Sequence, residues 1–266
     1  MREIGAILWR EFLDQRQNRM LWPVYLLMPL VGAALPAILV AASAAALAQD
    51  GGSQLGAMLG GIRMMAGAAG IQLEEAAARM FLRVSAGYFL LLPLAVVSIA
   101  GAYAIVGEKQ QRSLESVLAT PVDTRVFLVG KLLAVLIPAV AISWISAILG
   151  AAVSVASFWL SHRLLVWPDI FYWLGVLVLG PLIGAITALV CMRVSARMQD
   201  PQAANQMTAL VLMPALMIVF SLVGPYIVLH LPALLAACGV AGLAAVVLFY
   251  WVKRGFDREE ILCRWR

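Results

Sequence analysis

Glu108, Lys109, Arg112 and Glu115 fall within one short stretch, Gly107–Lys131, in which seven of 25 side chains are charged. On a helix, Glu108 and Arg112 are four apart and Arg112 and Glu115 three apart, spacings at which opposite charges meet for about 0.2–0.5 kcal/mol per pair. Such a group suits recognition of a charged partner, not bond-making. Chemistry on bonds points elsewhere. Glu74, Glu75 and Arg79 stand in the order EExxxR, and Phe158 and His162 in the order FxxxH. They offer a carboxylate and an imidazole, side chains that activate water. Cys191, Cys238 and Cys263 form no CxxC pair, which argues against a disulfide framework or a zinc site. They read as small apolar fillers plus one tail thiol. Gly130-Lys131 lacks the following Ser or Thr and the earlier glycine of a phosphate-binding loop, so ATP must be handled by another polypeptide.

The elements that carry these residues are nearly all apolar. Of 266 residues, 64% are hydrophobic and 12% charged, against about 25% charged in a soluble domain. Several apolar runs exceed the roughly 20 residues that a helix needs to cross a bilayer. The chain reads as an all-α polytopic membrane protein. Its net charge of +5 reports topology, not nucleic-acid binding.

Six transmembrane helices are predicted, at about 21–47, 84–106, 126–153, 170–190, 204–223 and 231–252. Residues 1–20 form an N-terminal interfacial amphipathic helix. Ile4, Leu8 and Phe12 make its apolar line, with Ile7 beside them. Arg2, Glu3, Arg10, Glu11, Asp14 and Arg16 fill the remaining surface, and Trp9 and Trp22 mark the interface. Ala46-Leu47-Ala48 resembles a cleavage site, but the apolar run before it is too long for a signal peptide, so that run is a retained span. Residues 48–83 hold Arg63, Glu74, Glu75 and Arg79. They are placed as an extracytoplasmic helical segment capping the exit, because arginine near a bilayer centre costs about 2.5–3.5 kcal/mol. Pro93, Pro138, Pro181 and Pro214 fall inside spans and predict kinks, tolerated where neighbouring helices satisfy the freed backbone. Gly180 and Gly184 allow close helix packing.

With six spans, 15 of the 19 basic residues lie on the side holding residues 1–20, 107–131, 191–203 and 253–266. That bias puts both termini, the 253–266 tail and the charged stretch in the cytoplasm. In this reading Gly107 ends the second span and Glu108 begins a short cytoplasmic helix, since a carboxylate favours a helix start. Leu114, Val117 and Leu118 form its apolar face. Thr120 precedes Pro121, so the helix stops near Ala119. Asp123 caps the third span. Lys131, two turns in, snorkels back to the cytoplasmic surface. The residues alone leave two readings open, a loop lying on headgroups or a docking knob for a cytoplasmic partner.

The same stretch resembles the signature of type-2 ATP-binding-cassette permeases, the membrane subunits of many bacterial exporters. Their pattern is roughly Gly-Glu, a polar stretch, Gly-Thr-Leu-Glu, two apolar residues, Thr-Pro, and later Gly-Lys. Here stand Gly107-Glu108, Leu114-Glu115, Val117-Leu118, Thr120-Pro121 and Gly130-Lys131, with Arg112-Ser113 in place of Gly-Thr. Ser195–Met217 is similar to the family's polar entry to the fifth span. The resemblance implies a coupling helix over 107–120, between spans 2 and 3, seated in a groove of an ATPase subunit. Glu108, Lys109, Arg112, Leu114, Glu115, Leu118, Thr120 and Pro121 would make that contact. Arg197 and Asp200 of the 192–203 loop would make a second. It further implies two ATPase subunits that hold the ATP and Mg, no cofactor on this chain, and a second copy or a paralogous permease completing the pathway. The place is the cell (inner) membrane of a bacterium or archaeon.

A rival reading comes from another class. EExxxR and FxxxH also resemble motifs of intramembrane glutamate proteases of the prenyl-protein-processing type. Both motifs fall in predicted outer loops, and His230 is followed by Leu-Pro-Ala-Leu, not by a further matching pattern. A non-transport membrane scaffold is the third option. No span carries a clear mid-membrane charge, which suits a transporter whose energy comes from elsewhere.

Overall fold

The computed structural model describes residues 2–17, 21–48, 67, 73–110, 124–163, 165–195, 198, 200–229 and 231–254. Its elements are helices: α1 (Arg2–Gln17), α2 (Leu21–Ala48), α3 (Leu73–Gln110), α4 (Thr124–His162), α5 (Ile170–Ser195), α6 (Pro201–Leu229) and α7 (Leu231–Arg254). Among the described residues, four helices are long and apolar enough to cross a membrane, over Ala78–Tyr103, Leu128–Leu160, Ile170–Ser195 and Leu231–Lys253.

Helix α3 is central and touches α2, α4, α5 and α6. Its Val96, Val97 and Ala100 meet Val135 and Ala139 of α4, Ala188 and Leu189 of α5, and Val252 of α7 in one buried cluster. Pairings along the helices fix their directions. Phe89 of α3 lies by Tyr172 of α5, and Ser98 by Cys191, so α3 and α5 run the same way. Ser143 of α4 reaches Phe89, while Leu128 lies in the cluster with Val97, so α4 runs the opposite way. Helix α6 starts where α5 ends, with Ala204 packed on Ala102, Val106 and Cys191. Outside this core the usual rule inverts. Leu210 of α6, Leu243 and Val247 of α7, and Ile145 and Ile148 of α4 are exposed. Such faces suit hydrocarbon, since in lipid no hydrophobic force drives apolar helices together and packing does the work.

The prolines show how the bundle satisfies its backbone. Proline lacks an N–H, so the carbonyl four residues earlier loses its helical donor. For Pro93 that carbonyl is Phe89 O, and Ser143 Oγ of α4 donates to it at 3.1 Å. For Pro138 it is Ala134 O, and Gln15 Nε2 of α1 donates to it at 3.2 Å. Pro181 follows a π-helical turn, Gly175–Leu179, inside α5, a local adjustment that accommodates such breaks. Gly184 is used within the chain. A Cβ there would lie 2.9 Å from Leu136 Cδ1 and 3.2 Å from Pro93 Cβ, whereas Gly180 has ordinary clearance of 3.8 Å.

Helix boundaries depart from the hydropathy reading at several ends, α5 and α6 running on to Ser195 and Leu229 among them, and three departures touch the motif residues. Helix α3 begins at Leu73, not 84, so residues 73–83 continue into the span instead of standing apart. Gly107 does not end it; α3 runs on to Gln110, placing Glu108 and Lys109 at a helix end rather than a helix start. A single interior glycine costs about 1 kcal/mol relative to Ala, too little to stop a 38-residue helix. Helix α4 extends to His162, so Phe158 and His162 belong to a helix and not to an outer loop. The charges beyond the apolar runs are paired, which lets the helices continue into the interface: Arg79 with Glu75, and Arg83 with Asp169.

Candidate functional site

The ends of α1, α3, α5 and α7 and the starts of α2, α4 and α6 gather at one end of the bundle. Leu21 and Val252 share the cluster that holds Leu128 and Met192. At this end α1 packs on α4, and the contact is polar. Lys131 Nζ donates to Glu11 Oε1 at 2.8 Å, with Lys131 2% and Glu11 6% exposed. One turn along each helix, Gln15 Nε2 holds Ala134 O, and Tyr25 OH of α2 donates to Gln15 Oε1 at 3.1 Å. Three helices are thus tied by three polar contacts.

This corrects one expectation. Lys131 does not snorkel to the surface; α1 covers it, and its charge is met inside the protein by Glu11. Helix α1 meets α4 through its polar residues. Phe12 is 51% exposed, and Trp9 and Leu13 are exposed too, while Glu11 and Gln15 face α4. Burying a charge is costly unless it is paired, and apolar side chains lose nothing by facing lipid. Sequence reading places Glu11 on the outer surface of α1 and misses Gln15, although Pro138 already announced a carbonyl in need of a donor.

Around this corner the described residues add two features. The guanidinium of Arg193, at the end of α5, lies 4.9 Å from the ring centroid of Trp251 of α7. Asp200 is exposed and caps α6: its Oδ2 accepts from Ala203 N at 2.8 Å, and its carbonyl accepts from Ala204 N at 3.0 Å. Pro201 takes the first helical position, where no donor is lost. Of the predicted contact residues, Glu108 and Lys109 lie in the last turn of α3. Arg112, Leu114, Glu115, Leu118, Thr120, Pro121 and Arg197 lie outside the described residues, as do Asp123 and Cys263.

The opposite end carries the other motif pair. Arg83 Nη2 donates to Asp169 Oδ2 at 2.7 Å, and its guanidinium sits 4.4 Å from the Phe171 ring. Phe158 is buried against Ala78, Leu82 and Val166. The structure therefore does bring the EExxxR and FxxxH helices together, but Glu75 is bound to Arg79 and Phe158 serves as packing. Among the described residues no group of three or more His, Cys, Asp or Glu is placed to hold a metal.

Residues 5–252 match the family model for the ABC-2 family transporter protein. No curated protein matches the chain.

Proposed function

This chain belongs to the ABC-2 family of transporter proteins, a membrane-spanning permease component of an ABC transporter, and from that premise we propose a more specific role. It works as an exporter permease with six spans. Two copies, or this chain and a paralogue, form the pathway. A separate ATPase subunit carries ATP and Mg and docks on residues 107–120, with Arg197 and Asp200 as a second contact. Helix α1 lies in the interface, and both termini face the cytoplasm.

The observation that supports this reading is the anchoring of the two helices that flank the connector. Helix α3 reaches Gln110 and α4 starts at Thr124, and both of these helices belong to the packed bundle. Helix α4 is further fastened to α1 by the buried Lys131–Glu11 pair. A displacement that reaches the end of α3 or the start of α4 is therefore carried by the bundle. Apolar anchors usually dominate a docking contact, with rim charges tuning it. Leu118→Asp is therefore expected to detach the ATPase or abolish transport at normal expression, and Glu115→Lys to weaken coupling more mildly. Co-purification of the ATPase with each variant, followed by ATPase and transport assays in liposomes, tests this. Two variants that bind and transport like the wild type would overturn it.

A further inference from the structure

Helix α4 ends beside a groove of about 680 Å³. Ile148, Ala152, Ala156 and Trp159 line one wall, and Trp167 and Trp173 face them. The stripe from Ile148 to Trp159 spans eleven residues, or about 16 Å at the helical rise. That is about half of the 30 Å hydrocarbon core of a bilayer, the depth of one leaflet. The lining is hydrocarbon and indole, and tryptophans favour the membrane–water boundary.

Arg163 sits at the mouth. It directly follows α4, is exposed, and places its guanidinium 5.8 Å from the Trp159 ring centroid. Its neighbours at this end are neutralised: Arg83 by Asp169 and Arg79 by Glu75. Among the described residues no carboxylate pairs with Arg163. Its backbone is left-handed, φ 56, with its N–H donating to Trp159 O at 3.1 Å. Glycine or asparagine usually fills such a helix-ending position. Here a long cation is held there instead, at the head of an apolar slot one leaflet deep.

We propose that this groove binds an anionic phospholipid, with one acyl chain along α4 between Trp159 and Trp173 and the phosphate on Arg163. The charge balance favours an anionic headgroup. A zwitterionic lipid brings its own ammonium to the phosphate, whereas Arg163 supplies a cation that no described carboxylate has claimed.

The test uses full-length protein in phosphatidylcholine vesicles doped with phosphatidylglycerol or phosphatidylcholine brominated at mid-chain, a contact quencher of tryptophan. Half-quenching is expected at about a five-fold lower mole fraction of the brominated phosphatidylglycerol, the selectivity that one basic residue gives toward an anionic headgroup. Arg163→Asn keeps the left-handed backbone, which asparagine tolerates, and should erase the preference. Ala156→Phe, or Ala156→Leu if the larger side chain disturbs folding, should reduce quenching by both lipids. Equal curves for the two lipids in the wild type mean bulk lipid only and overturn the proposal. So does a preference that survives Arg163→Asn, or quenching unchanged when the groove is filled.

Discussion

Removing the Glu11 carboxylate should release α1 from the bundle, and the size of the effect follows from burial. Lys131 is 2% exposed and donates to Glu11 at 2.8 Å. Breaking one side of a buried ion pair costs about 3–5 kcal/mol, because the surviving charge stays in the interior. With each 1.4 kcal/mol worth about tenfold, Glu11→Ala should lower the hydrogen-exchange protection of the α1 amides by roughly a hundredfold or more. Glu11→Leu combined with Lys131→Met removes both charges of the pair, and such replacements are often neutral or stabilising; protection should return to near the wild-type level. The measurement is amide exchange of residues 2–17 by mass spectrometry in detergent, for the wild type, both single variants and the double variant. If the single and double variants exchange alike, or if Glu11→Ala leaves protection unchanged, the pair does not hold α1 and the reasoning fails.

Two further outcomes follow from the same packing. Ser143→Ala leaves Phe89 O, already without its helical donor because of Pro93, unsatisfied at a cost of about 1–3 kcal/mol; its Tm should fall by several degrees, and Pro93→Ala in the same chain should recover most of the loss. Gly184→Val should destabilise markedly, since even its Cβ would lie 2.9 Å from Leu136 Cδ1 and 3.2 Å from Pro93 Cβ, whereas Gly239→Ala, with nothing within 4 Å, should stabilise by up to about 1 kcal/mol; thermal unfolding of both in one detergent compares them.

The helical membrane character was legible in hydropathy, and the permease family in a few short matches around Gly107–Lys131. The prolines at 93 and 138 were legible as breaks, yet the donors that answer them were not. Ser143 and Gln15 lie 54 and 119 positions from the carbonyls they serve, and no local pattern joins residues so far apart. Lys131 and Glu11 were each assigned to water or headgroups, because hydropathy scores a side chain by itself and cannot see a charge met by another element. The helix ends at Leu73, Gln110 and His162 were missed for a related reason. An apolar run marks where hydrocarbon ends; pairs such as Arg83–Asp169 let the helix go further. Of the predicted docking residues, most lie outside the described part of the chain.

The π-helical turn in α5 has a consequence for the whole bundle. Tyr172 and Gly184 are twelve positions apart, which on a regular α-helix would put them about 120° apart around the axis. One additional residue in the turn at Gly175–Leu179 subtracts about 100° and brings them to within about 20° of one another. Tyr172 can therefore donate to Ala147 O at 2.6 Å and pack on Phe89 while Gly184 meets Pro93 and Leu136, all against the same pair of helices. The turn acts as a phase shifter: it lets two stretches of one helix, out of step in sequence, seal a single seam. Deleting Val178, which is exposed, would remove the extra residue and leave Tyr172 and Gly184 eleven positions apart on a regular helix, again within about 20° of one another, so the seam should survive the loss of that residue.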